Sequence, residues 1–170
     1  IALGGLVTSY NFIKYFASLA KQECAEAVVV LGGGVITPIP KDIMELIQAI
    51  DIGVIGEGYI TFPELVAAIE SNEGDISNIN GIVWRDGYDI IVNDIRSLLN
   101  DVDSIPFPAW ELFPINIYFA NSSLLLSEEA MSCKRRLEFC CSYGCPYKCK
   151  YCFHLGLSGE LSVEGQGKER

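Results

Sequence analysis

Over roughly the first 70 residues, a short apolar run three times ends in glycine and gives way to a stretch with helical apolar spacing. Ile1-Ala2-Leu3 reads as the end of a buried strand, followed by Gly4-Gly5. Phe12, Phe16, Leu19 and Ala20 then recur at helical spacing, with Ser9 as the expected cap. Ala27 to Leu31 is a continuous apolar strand of the kind buried on both faces, closed by Gly32-Gly33-Gly34. Asp42, with Glu45 three residues on, predicts the start of a second helix with Ile43, Leu46, Ile47 and Ile50 inward. The third unit runs from the strand Ile52 to Ile55 through Gly56-Glu57-Gly58 to a helix capped by Thr61. Its inward face is Phe62, Leu65, Val66 and Ile69. Such a series predicts an α/β fold: a doubly wound parallel sheet with its ligand crevice at the C-terminal strand ends.

After residue 76 the pattern changes to two β-rich runs, Asn80 to Arg85 and Tyr88 to Val92. Asp86-Gly87 between them predicts a hairpin with a type I′ turn. Leu98 to Pro114, rich in Asp and Pro, reads as an ordered connector in which Trp110 and Phe113 are packing anchors. Ile117 to Ser127 fits strand or loop equally. The expected divisions are therefore residues 1–76 as the sheet domain, 77–132 as hairpin and Pro-rich linker, and 133–170 as the start of another domain. No dinucleotide fingerprint occurs, since none of the glycine turns has the G-x-G-x-x-G spacing.

Half of the residues are hydrophobic, yet no apolar run approaches the ~20 residues of a membrane span. Charge is uneven. Residues 1–132 carry 5 basic and 18 acidic side chains, a net of −13, whereas 133–170 carry 7 and 4, a net of +3. The acidic part argues against a nucleic-acid partner, and Lys134-Arg135-Arg136 with Lys148 and Lys150 is too small a footprint to reverse that. Seven cysteines without a secretory signal point to a reducing cytoplasm and to thiols used for metal.

Three of those cysteines, Cys145, Cys149 and Cys152, fall at C-x3-C-x2-C behind the short apolar run Leu137 to Cys141. The run predicts a strand and the cysteines a loop at its end, turned by Gly144 and Pro146 so that three sulfurs converge. Three thiolates are one short of a closed four-ligand site. A 4Fe–4S cube held this way keeps one iron open to a small molecule. The same cysteines could instead hold zinc, with His154, Cys141 or Cys140 as the fourth ligand.

Cys145, Cys149, Tyr151 and Cys152 together give C-x3-C-x-aromatic-C, which resembles the cluster motif of radical S-adenosylmethionine (SAM) enzymes. The wider string Gly144 to His154 is similar to that of members carrying an N-terminal cobalamin-binding domain. The resemblance implies that the open iron chelates SAM, that one electron cleaves it to a 5′-deoxyadenosyl radical, and that the motif follows the first strand of a (β/α) barrel. Only 18 residues follow Cys152, and the chain starts at Ile1, so it is expected to be an internal piece of a longer protein. The backbone at Tyr151 is implied to contact the adenine of SAM, with the ring shaping that pocket. The turns upstream resemble the family's cobalamin domain. Leu6, Thr8 and Ser9 resemble the loop along the cofactor's nucleotide tail, Gly32-Gly33-Gly34 the loop packed on its base, and Gly56-Glu57-Gly58 a stretch common to the family. No D-x-H-x-x-G loop occurs, so the resemblance assigns no histidine to cobalt.

Two functions follow. One is a cobalamin-domain radical SAM enzyme performing methyl transfer, cyclisation or rearrangement on a small or lipid-like substrate, with a reductant such as flavodoxin or ferredoxin. The other is a non-catalytic cobalamin- or nucleotide-binding module with a structural zinc knuckle. On the first, Cys24 is expected to play no part in the cluster, the three glycine turns should wall one crevice, and a side chain at Gly33 should weaken cobalamin binding more than folding.

Overall fold

The computed structural model describes residues 1–71, 75–99 and 101–120. Those up to Leu99 form one unit and those from Asp101 belong to a second. The first unit is a mixed α/β fold around one five-stranded sheet with strands in chain order: β1 (Ala2–Gly4), β2 (Val30–Gly32), β3 (Ile52–Val54), β4 (Ile82–Asp86) and β5 (Asp89–Val92). β1, β2 and β3 are parallel, in a register that sets Gly4 beside Gly32 and Leu31 beside Gly53. β4 and β5 continue the sheet antiparallel, so the expected all-parallel sheet is a mixed one. The physical reason is the route of residues 75–81, which return the chain to the end of β3, with Ile79 buried on the way and Ile55 N–H bonded to Gly81 O at 2.8 Å.

Helices α1 (Tyr10–Glu23) and α2 (Pro40–Leu46) cover one face, packing Ile13, Ala17, Ile43, Met44 and Ile47 with Leu31 and Val83. Helix α3 (Gly58–Glu70) covers the other, packing Leu65 with Val30, Ile52, Val54 and Ile82. Side chains alternate between the faces along β2 to β4, which is why these strands read as unbroken apolar runs. Gly53 marks the tightest point: a Cβ there would overlap Ile36 Cδ1 and lie 2.6 Å from Val83 Cγ1.

The helices depart from their expected limits in three ways. A 3₁₀ turn, Val7–Ser9, precedes α1, and Ser9 makes no capping side-chain bond. The buried stripe of α1 is Ile13 and Ala17, while Phe12 is exposed and stacks on Phe16 at 4.4 Å between ring centres. α2 opens at Pro40, whose fixed φ suits a first helical position, rather than at Asp42; Met44 is buried and Leu46 exposed. α3 begins three residues before Thr61, which is therefore no cap but a fully buried residue inside the helix. Thr61 Oγ1 donates to Asn80 O at 3.3 Å and accepts from Arg96 Nε at 2.7 Å, and Arg96 also pairs with Glu64.

The hairpin closes through Gly87 and Tyr88, one residue later than expected, with Gly87 at φ 59°. Arg85 reaches back to the end of α2, donating to the carbonyls of Met44, Ile47 and Ile50, where a cation suits the helix C-terminus. Asp75 accepts from Ser77 and Asn78, and those bonds hold its carboxyl below its ordinary range. Among the described residues no helix is long and apolar enough to cross a membrane.

In the second unit, two 3₁₀ turns (Val102–Ser104 and Trp110–Leu112) precede helix α4 (Ile115–Ala120), which covers the first residues of the stretch left open between strand and loop. Trp110 and Phe113 pack on each other with ring centres 6.1 Å apart.

Candidate functional site

Because β1, β2 and β3 are parallel, the glycine turns that follow them emerge at one edge of the sheet. On the α3 face, next to that edge, lies an open cavity of about 450 Å³, within the size range of small-molecule sites. Ala2, Val30, Gly32 and Val54 line it from the strands, Gly33 and Gly56 from the turns. Gly58, Tyr59, Phe62 and Pro63 of α3 form its wall. None of the lining residues is charged, so the cavity suits a flat apolar group better than a bare phosphate.

The glycines play different parts. A Cβ built on Gly32 or Gly56 meets no atom within 4 Å, so both present bare backbone to open space. Gly33 has φ 88°, and its Cβ would stand 3.0 Å from the carbonyl oxygen and 3.2 Å from the nitrogen of Gly5. A side chain at Gly33 would therefore strain the turn itself, although Gly33 also lines the cavity. Gly32 is the position that keeps the cavity open. A cradle walled by backbone, which a side chain would fill, fits the nucleotide tail of cobalamin.

Of the other expected site residues, Thr8 and Ser9 lie on the 3₁₀ turn beyond β1 and Leu6 just before it, all outside the cavity lining, and Gly34 lies within the turn after β2. Glu57, the residue before α3, borders a separate space of about 20 Å³ with Ile55 and Arg96, room for a water at most. Cys24 is exposed and stands one residue past α1. Cys145, Cys149, Tyr151, Cys152 and His154 lie outside the described residues.

Two features escaped the sequence reading. Phe62 was expected in the core but lines the cavity at 37% exposure, on the first half of α3 beside Tyr59 and Pro63. Thr37, 4% exposed, bonds to both Gly33 and Gly56; its one signal is a lone hydroxyl in the apolar stretch Val35 to Pro40.

No protein-family model matches the chain. Among curated proteins it is 30% identical over 139 residues to an uncharacterized methyltransferase of Pyrococcus horikoshii, covering 80% of this chain and 27% of that protein. It is 27% identical over 157 residues to the anaerobic magnesium-protoporphyrin IX monomethyl ester cyclase of Synechocystis sp., covering 92% and 29%. The cobalamin-dependent radical SAM methyltransferase TokK of Streptomyces tokunonensis is 26% identical over 157 residues, covering 89% and 21%. Among solved structures it is similar to the radical SAM methyltransferase TsrM of Kitasatospora setae with cobalamin and a 4Fe–4S cluster bound. It has 20% identity and a TM-score of 0.46, covering 62% of this chain and 20% of that one. The chain thus spans less than a third of the length of these curated relatives.

Proposed function

We propose that the chain forms the cofactor-binding part of a radical SAM enzyme, in keeping with its similarity to the cobalamin-dependent radical SAM methyltransferase TokK. In this reading the sheet unit takes the nucleotide tail of cobalamin into the cavity beside Gly32 and Gly56. Cys145, Cys149 and Cys152 hold a 4Fe–4S cluster with one open iron for SAM. When bound, these groups supply one-electron cleavage of SAM and a methyl carrier. The chain's own part is to present backbone without side chains at Gly32 and Gly56 and a dry wall at Phe62 and Pro63. A reductant such as flavodoxin or ferredoxin would supply the electron, and the reaction is methyl transfer, cyclisation or rearrangement of a small or lipid-like molecule.

The observation that carries the reading is the pairing, along one chain, of an uncharged glycine-walled cavity with C-x3-C-x-aromatic-C downstream. The test is metal analysis of the full-length protein purified without oxygen. Iron and sulfide in equal amounts are expected, lost on Cys145→Ala, Cys149→Ala or Cys152→Ala and kept on Cys24→Ala. Zinc without sulfide would leave the zinc-knuckle module as the function.

A further inference from the structure

We propose that Thr37 is a positioning residue that ties the turns after β2 and β3 into one rim and so sets the width of the cavity between Gly33 and Gly56. Its hydroxyl donates to Gly33 O at 2.9 Å and accepts from Gly56 N–H at 3.1 Å. Both capacities of the hydroxyl are thereby used toward two different turns, and both partners line the cavity. Thr37 N–H also donates to Gly33 O at 3.2 Å, and Val35 N–H donates to Gly5 O at 3.0 Å. The segment Val35 to Thr37 therefore reaches all three glycine turns, and the Thr37 side chain bonds to both the second and the third.

The bond to Gly56 is the one with consequence. Gly33 O keeps backbone donors, from Ile36 at 3.3 Å and from Thr37, when the hydroxyl is removed. For Gly56 N–H, the Thr37 hydroxyl is the acceptor, and it holds a residue at φ 77° in a stretch with no packing atom within 4 Å of its would-be Cβ. No side chain packs at this position, and the bond from the Gly56 N–H to the Thr37 hydroxyl is what ties it to the turn after β2. Loss of the hydroxyl frees the rim on one side without touching Val35 and Ile36, which are buried in the core.

The ligand side of this proposal rests on the cobalamin reading, so two measurements separate them. In single-amide hydrogen exchange of the full-length protein, the Gly56 amide is expected to be protected in the wild type. It should exchange about tenfold faster in Thr37→Val, while the Val83 amide is unchanged. In equilibrium dialysis with hydroxocobalamin, Thr37→Val is expected to bind about tenfold more weakly, and Thr37→Ser, which keeps the hydroxyl, within about twofold of wild type. Thr37→Ala serves as the hydroxyl-free variant if the valine protein does not fold. A wild-type Gly56 amide that exchanges like an exposed turn, or valine and serine proteins that bind hydroxocobalamin alike, overturns the role of Thr37. A wild type that binds no hydroxocobalamin overturns the cobalamin reading, and the exchange experiment still decides whether Thr37 holds the rim.

Discussion

At the scale of single residues, three glycines in or next to β2 and β3 have three separate reasons to be glycine. Gly53 makes room for Ile36 and Val83, Gly33 takes a backbone conformation against Gly5, and Gly32 leaves the cavity open. Urea unfolding of alanine variants is expected to rank them. Gly53→Ala should cost about 1–3 kcal/mol through overpacking. Gly33→Ala should cost more than about 1 kcal/mol, because alanine disfavours φ 88°. Gly32→Ala should stay within about 1 kcal/mol of wild type, on the stabilising side. Equal losses at all three would mean that the turns, rather than these local contacts, set the need for glycine. The sequence places all three at strand ends or inside a strand, but it does not tell them apart. The distinction depends on Gly5, Ile36 and Val83, which approach only when distant segments pack.

At the scale of elements, the alternation of strand, glycine turn and helix was legible because β2 and β3 are buried apolar strands and glycines follow them at the turns. Which stripe of a helix faces inward was less so. Phe12 and Phe16 have the same spacing as Ile13 and Ala17, and the aromatic pair carries more apolar surface. The smaller pair wins because Ala17 lets the helix approach the sheet, while exposed Phe12 packs on half-buried Phe16. Ala17→Leu is therefore expected to destabilise the fold by about 1–3 kcal/mol. Phe12→Ala should change stability by no more than about 0.5 kcal/mol in the same urea melts. The reverse order would put the aromatic stripe inside. Thr61 misled in a similar way: its side chain looks like a cap, but its oxygen is committed to Asn80 and Arg96, partners that sequence spacing does not reveal.

For the whole molecule, the sequence predicted the sheet, the edge at which its glycine turns gather, and the kind of enzyme to which it is related. The antiparallel addition of the hairpin was not legible, because the direction of β4 depends on how residues 75–81 run back along the sheet. The cavity was anticipated as a crevice, but its wall of Tyr59, Phe62 and Pro63 was not, since that needs the true start of α3. The central claim is that this cavity holds part of cobalamin. It is tested most directly by titrating hydroxocobalamin into the full-length protein and its Gly32→Val variant, with unfolding measured on both. The account predicts that the wild type binds, that the variant folds with unchanged stability to within about 1 kcal/mol, and that its affinity falls at least about tenfold as the side chain fills the cavity. A folded variant that binds hydroxocobalamin as tightly as the wild type would contradict it.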